Sequence, residues 1–187
     1  TSASTERRRA RGRGRGRRSL NSGLARRGGS SPDYSDPPRG YTRPALDLSR
    51  VEIVLVRPSR PANVAAACRA MKNMGLLRLC LVEPPAGLGE AEARALAYGA
   101  WDVLDGARRA GSLQDAVSGS VAVVGTTGRE VAGVWPPRRL AAEAAALAGG
   151  GTLSLVFGPE ASGLTGRELD LCHGLVHVPT DPLHPSL

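Results

Sequence analysis

Val51-Glu-Ile-Val-Leu-Val56, Arg57-Pro58-Ser59-Arg60, then Pro61-Ala-Asn63-Val-Ala-Ala-Ala-Cys68-Arg69-Ala-Met-Lys-Asn-Met-Gly75, and finally Leu79-Cys80-Leu-Val82 is the stretch that decides the fold. The first run is short, apolar and rich in β-branched residues, and Arg57-Pro58 bounds it, so it reads as a buried strand. Pro61 can open a helix at its first turn, and Ala62 to Met74 carries good helix formers up to Gly75, a C-terminal cap. Leu79–Val82 is a second strand, stopped by Pro84-Pro85. Strand, helix, strand is the unit of a parallel sheet, because parallel strands need a crossover long enough to hold a helix.

The same alternation continues outward from this stretch. Glu90 to Tyr98 reads as a helix with Gly99 behind it, and Trp101–Leu104 as a short strand. Ser112 caps a short helix over 112–117, and Val121–Val124 is a strand running into Gly125-Thr126-Thr127. Pro136–Ala148 is an Ala-rich helix closed by Gly149-Gly150-Gly151. Thr152–Phe157 is a strand, Thr165–Cys172 a helix and Leu175–Val178 a last strand. This is an α/β fold: a mostly parallel, buried sheet with helices on both faces.

The part before Val51 is of another kind. The chain has 187 residues and a formal charge of +8. Residues 1–50 hold 13 arginines against four acids (Glu6, Asp33, Asp36, Asp47), a net +9, which leaves 51–187 close to neutral at −1. Eight of the twelve positions from Arg7 to Arg18 are Arg, spaced by Gly12, Gly14 and Gly16. So few apolar groups cannot offset the entropy of ordering, so residues 1–50 read as a disordered basic tail. Arg on a flexible backbone can meet successive phosphates, giving sequence-independent, salt-sensitive contact with RNA or DNA. A solvated linker and the remnant of an organellar presequence are the other two readings.

Composition removes several classes. No stretch approaches the ~20 apolar residues that a membrane-spanning helix needs. Cys68, Cys80 and Cys172 are too few for a disulfide scaffold and fit a reducing compartment, the cytoplasm. There is no Cys-x-x-Cys and no histidine cluster, so no metal is expected; His173, His177 and His184 form no ligand pattern. Gly-x-Gly-x-x-Gly and the phosphate loop are both absent, which disfavours a nucleotide enzyme of the ordinary kind. Aromatics at 3% are too sparse for a base-stacking module, so Trp101 and Trp135 read as core or interface residues.

In parallel sheets ligands bind outside the carboxyl ends of the strands. Three strand ends here carry loops rich in Gly and polar groups: Gly125-Thr-Thr-Gly-Arg129, Phe157-Gly-Pro-Glu-Ala-Ser-Gly163 and Val178-Pro-Thr-Asp-Pro-Leu-His-Pro-Ser-Leu187. Glycines there let backbone approach a ligand closely.

These segments carry a resemblance. Asn63-Val-Ala-Ala-Ala-Cys-Arg69 through Gly75 is similar to the first motif of the SPOUT-class RNA ribose methyltransferases, in the TrmH and TrmJ branch. Leu155-Val-Phe-Gly-Pro-Glu160-Ala-Ser-Gly163-Leu164 resembles their second motif, and Val178 to Leu187 the start of their third. Gly125-Thr126-Thr127 also fits, with Gly128-Arg129 where the TrmJ branch usually has Ala-Arg. The likeness covers residues 51–187.

The resemblance implies a doubly wound sheet ending in a trefoil knot, an obligate homodimer, and methyl transfer from S-adenosylmethionine to a ribose 2′-hydroxyl of RNA, tRNA first and rRNA second. It implies a cofactor site built from Gly125, Thr126, Thr127, Phe157, Gly158, Glu160, Gly163, Leu164, Val178, Pro179, Thr180, Ser186 and Leu187. It implies a catalytic set of Arg69 for the 2′-hydroxyl, Asn63, Glu160 and Ser186. Arg69 stands six residues after Asn63, roughly on one side of the helix, where its guanidinium can stabilise an alkoxide or grip a phosphate; a plain surface Arg is the alternative. Asn63 is also readable as a helix cap, and Glu160 as a solvated loop carboxylate. In the family the third motif goes on to Asn and a final helix, so the resemblance implies a chain that stops a helix short, with an incomplete knot and impaired activity. The rival function is a non-catalytic RNA-binding protein whose tail does the binding over a degenerate domain.

Overall fold

The computed structural model describes residues 45–85, 90–128 and 133–180. The chain divides into two units, Thr1–Tyr41 and Thr42–Leu187, and all the described residues belong to the second.

β1 (Val51–Val56) is buried along nearly its whole length, as a central strand with helices on both faces must be. α1 (Pro61–Asn73) starts with its proline in the first turn, and buries Val64, Ala65, Cys68 and Met71, one stripe of the helix. Gly75, at φ +72°, turns the chain out of the helix, and the Leu76 amide closes onto the Met71 carbonyl at 2.8 Å. β2 (Arg78–Val82), α2 (Glu90–Leu96), α3 (Trp101–Asp105), β3 (Arg108–Ala110) and α4 (Leu113–Val117) follow. Ser112 caps α4 as expected, its side chain accepting from the Asp115 amide. Then come β4 (Ser120–Thr127), α5 (Pro137–Ala148), β5 (Thr152–Phe157), α6 (Gly166–Leu169) and β6 (Gly174–His177).

The six strands form one parallel sheet in the order β3-β2-β1-β5-β4-β6. From β1 the chain winds outward to β3, crosses to β4 on the far side, steps in to β5 beside β1, and passes over β4 to β6 at the edge. The winding therefore reverses between β1 and β5, and the carboxyl ends of these two strands open a crevice. Successive side chains supply opposite faces. On one face Ile53 packs with Val64, Cys68 and Met71 of α1, while Ala122, Val124 and Leu153 pack under Ala144 and Ala148 of α5. On the other face Val54, Val56, Val123 and Val156 pack with Leu113, Ala116 and Val117 of α4.

Four sequence expectations change. The basic tail expected over 1–50 gives way sooner to folded chain: Leu48–Arg50 form a 3₁₀ turn capped by Asp47, and Leu46 packs against the core. The short strand expected at Trp101–Leu104 is helix α3: Val103 must be fully buried, and Trp101 Nε1 reaches back to the Arg94 carbonyl at 2.9 Å. The strand is instead β3, whose Arg-Arg-Ala lacks any apolar pattern because it is an edge paired only with β2. Gly125-Thr126-Thr127 is not loop but the last part of β4, kept extended by pairing with Leu175, Val176 and His177 of β6. α6 is one turn, not the helix expected to reach Cys172, because the chain is recaptured by the sheet where the His173 amide donates to the Val123 carbonyl.

A carboxylate is buried in the sheet. Glu52, 4% exposed, accepts from Arg108 Nη2 at 3.0 Å and pairs with Arg78 at 3.8 Å, tying β1 to β2 and β3. Arg108 also donates to the Ala116 carbonyl and Arg78 to Thr152 Oγ1. Both arginines keep nearly half their side-chain surface in water. They can rehydrate if the partner goes, so Glu52→Gln is expected to cost about 1–2 kcal/mol rather than the 3–5 of a fully enclosed pair. Urea unfolding with an unchanged m-value checks this.

Candidate active site

The loop after β5 closes on itself. A Cβ on Gly158 would lie 2.4 Å from the Gly163 carbonyl carbon and the Leu164 nitrogen, so only glycine lets the two arms meet. The Gly163 amide donates to the Pro159 carbonyl at 2.8 Å. Gly163 itself has φ +67° and open space where a side chain would stand. Behind the loop, Thr165 caps α6 in a reciprocal box with Glu168.

At the tip of this loop Glu160 meets α1. Asn63 Nδ2 donates to Glu160 Oε1 at 2.8 Å, and Ser59 donates to Oε2 through its hydroxyl (3.0 Å) and its amide (3.4 Å). Asn63 is therefore not the helix cap: that position is Arg60, and no side chain caps it. Partial burial acts to raise the Glu160 pKa, but its own backbone and the donors Asn63 and Ser59 outweigh it, holding the carboxyl below its ordinary range. Glu160 is an ionised acceptor with both oxygens engaged; it fixes the loop rather than taking a proton. Removing both partners tests that tie. A double-mutant cycle of Asn63→Ala and Glu160→Ala is expected to show a coupling of about 1 kcal/mol in thermal unfolding.

Between these groups lies a cavity of about 210 Å³, lined among others by Pro58, Asn63, Ala67, Phe157, Gly158 and Glu160. It opens at the β1/β5 switch point. Residues from the first and second motifs thus share one wall. Arg69 does not join them. It is exposed on α1 and absent from the lining of this cavity. Six residues at about 100° each leave it some 120° round the helix from Asn63, so the expectation that both lie on one side does not hold, whereas Ala67, four residues on, does face the cavity. Among the described residues Arg69 has no hydrogen-bond or ion-pair partner.

The other proposed cofactor residues form a rim along neighbouring strand ends: Phe157 on β5, Gly125, Thr126 and Thr127 on β4, and Val178, Pro179 and Thr180 after β6. Thr126 Oγ1 already donates to the Val156 carbonyl at 3.1 Å. Gly125 is glycine for packing, since a Cβ there would stand 2.8 Å from Cys172 Sγ and 3.1 Å from Leu164 Cδ1. Leu164 accordingly turns its side chain inward, against the cluster of Val54, Val56 and Val156. Phe157 and Val178 are exposed apolar groups on this rim. Ser186, Leu187, Arg129 and His184 lie outside the described residues.

No group of metal ligands exists among the described residues, and none of their helices is long and apolar enough to cross a membrane. His173 Nδ1 accepts from the Val123 amide at 3.0 Å and His177 Nδ1 lies 3.1 Å from the Thr127 carbonyl. Burial pushes the Cys68 and Cys172 thiols up to about 11, so neither is a nucleophile at neutral pH.

Sequence reasoning passed over Ser59 and the ion pair of Arg57 with Glu168. Only the capping box Thr165-x-x-Glu168 could have flagged the latter. Glu168 is 9% exposed, and the Arg57 guanidinium, with help from Thr165, overcomes its desolvation and holds its pKa at about 2 against an ordinary 4.5. A carboxyl depressed on folding stabilises the protein above its unfolded pKa and loses that contribution as pH falls towards the folded one. The contribution is of order 2 kcal/mol once the solvent access of Arg57 is allowed for. Unfolding temperatures of the wild type and Glu168→Gln should differ by a constant amount above pH 5 and converge towards pH 2.

The model of the SpoU rRNA Methylase family matches residues 50–187. Over 144 residues the chain is 44% identical to the tRNA (cytidine/uridine/adenosine-2′-O-)-methyltransferase TrmJ of Pseudomonas aeruginosa, covering 75% of this chain and 56% of that one. It spans a little over half the length of the curated relatives it matches. Among solved structures it is similar to a methylase family protein from Neisseria gonorrhoeae (TM-score 0.69, 34% identity, 78% of this chain and 79% of that one). It is also similar to TrmJ from Z. mobilis (TM-score 0.62, 34% identity, 73% and 61%).

Proposed function

This chain belongs to the SpoU rRNA methylase family, and we propose that it methylates a ribose 2′-hydroxyl of RNA, with tRNA as the first substrate class and S-adenosylmethionine as the donor. The observation that carries the reading is the meeting of Asn63 from α1 with Glu160 from the β5 loop at 2.8 Å on one cavity wall. Two segments almost a hundred residues apart, each matching a methyltransferase motif, build a single polar site at the switch point of the sheet.

The residues present fit the donor. Gly163 offers open space where a Cβ would project, and Gly158 and Leu164 present backbone beside it. Phe157 and Val178 give apolar surface for a purine face. Gly125, Thr126, Thr127, Pro179 and Thr180 complete this rim by backbone position; Ser186 and Leu187, outside the described residues, are assigned to the cofactor by motif match alone. S-adenosylmethionine supplies an electrophilic methyl group when bound. Glu160, Asn63 and Ser59 hold the loop so that the acceptor oxygen can be aligned with that methyl. Arg69 is assigned by its motif to stabilise the negative charge that develops at the 2′-oxygen, as the hydroxyl proton passes to solvent and the methyl group is transferred.

Arg69 lies off its own cavity, and a homodimer packed along α1 is the arrangement that lets this exposed guanidinium serve a site. An apolar groove of about 280 Å³ along α1, lined by Ile53, Leu55, Ala70, Met71, Met74 and Leu76, supports such packing, with Met74 70% exposed. The Arg-rich residues 1–50 add phosphate contact without sequence preference. The expected place of work is the cytoplasm. Isothermal titration with S-adenosylmethionine tests the reading: saturable binding is expected, weakened by Gly163→Val. If instead no binding occurs, and deleting residues 1–50 abolishes all RNA affinity, the protein is a tail-borne RNA binder.

A further inference from the structure

We propose that Arg57 is a positioning residue for the cofactor loop, locking its rear end onto β1 through Glu168; this rests on the cofactor site proposed above. Arg57 leaves β1 in the left-handed backbone region at φ 46°, and Glu83 leaves the neighbouring β2 in the same way at φ 45°. Non-glycine residues seldom adopt this conformation, and strain of this kind persists only where the surroundings enforce it. Here the surroundings are visible. The Arg57 amide bonds the Val82 carbonyl at 2.8 Å and the Glu83 amide bonds the Ala110 carbonyl at 2.9 Å, so the strand ladders run on past the kinks.

The side chains then meet. Arg57 Nη1 and Nη2 grip Glu168 Oε1 and Oε2 at 2.5 and 3.0 Å, a bidentate pair, and Nη1 also reaches Glu83 Oε2 at 3.3 Å. Glu168 Oε2 accepts in addition from the Thr165 amide (2.7 Å) and hydroxyl (2.9 Å). Arg57 therefore holds the carboxylate that closes the loop at Thr165. The front of the same loop is held at Glu160 by Ser59 and Asn63. Both anchors come from one short segment, 57–63, which becomes the frame against which Gly158–Leu164 is set. Arg57 needs no contact with the cofactor to affect it: an arm freed at one end samples more conformations, and binding must then order it.

The test compares wild type with Arg57→Gly, which relaxes the left-handed residue while removing the guanidinium, and Arg57→Lys, which keeps the charge without the fork. Hydrogen exchange of the amides over 159–169 in the protein without cofactor should speed up in Arg57→Gly, with exchange in β1 and β5 unchanged. Titration should show S-adenosylmethionine bound roughly tenfold more weakly, with partial recovery in Arg57→Lys, and the turnover number at saturating cofactor little altered. Should Arg57→Gly fail to fold, Glu168→Gln gives the same two readouts. Wild-type exchange rates and affinity in these variants overturn the proposal. A wild type that binds no S-adenosylmethionine, yet shows the loop released by Arg57→Gly, overturns the cofactor reading and leaves the lock standing.

Discussion

Arg69→Ala is expected to lower methyl transfer to RNA by about 10²–10⁴-fold, the range of a group that stabilises charge in the transition state. Stability should stay within about 0.5 kcal/mol of wild type, because the residue is exposed on α1, no partner among the described residues is lost, and alanine is the better helix former. A radiolabelled methyl-transfer assay and a thermal melt on the same samples separate the two effects. Arg69→Lys keeps the charge but not the planar fork and should recover only part of the rate. Full activity in Arg69→Ala would return this residue to the status of a surface arginine.

Gly158→Ala carries the second large effect. The added Cβ would lie 2.4 Å from two backbone atoms, Gly163 C and Leu164 N, and no rotamer change relieves a backbone clash. The loop must reopen, breaking the Gly163–Pro159 hydrogen bond and moving Glu160 away from Asn63. Overpacking of this kind costs about 1–3 kcal/mol, and cofactor affinity should fall by roughly two orders of magnitude. Gly163→Ala is the control. Its Cβ meets nothing within 4 Å, so the penalty is the left-handed φ alone, about 1 kcal/mol. Calorimetric titration of both variants should therefore rank Gly158→Ala well below Gly163→Ala.

These two glycines also show how far the sequence could be read. The core strands were legible because Val51–Val56 and Thr152–Phe157 are apolar, β-branched and bounded by breakers. β3 was not, since an edge strand needs no burial pattern and Arg108 is there to reach Glu52. The Gly125-Thr-Thr segment looked like loop chemistry by composition, yet a strand far away in sequence, β6, keeps it extended. In the site, Asn63 and Glu160 were named from motifs, but their bond to each other, and the part taken by Ser59, depend on how two distant loops meet. Arg69 was named as well, and its separation from the cavity follows from helical geometry that the spacing of six already contained. The bond between Arg57 and Glu168 has no local signature, because its partners stand 111 residues apart; only the capping box Thr165-x-x-Glu168 marks one of its two ends.

The central claim is methyl transfer to a ribose oxygen, and the identity of the methylated atom tests it most directly. tRNA incubated with the protein and S-adenosylmethionine bearing a deuterated methyl group, then digested to nucleosides and resolved by mass spectrometry, should carry the label on a 2′-O-methylribose. Label on a base, or none while the cofactor demonstrably binds, would contradict the account.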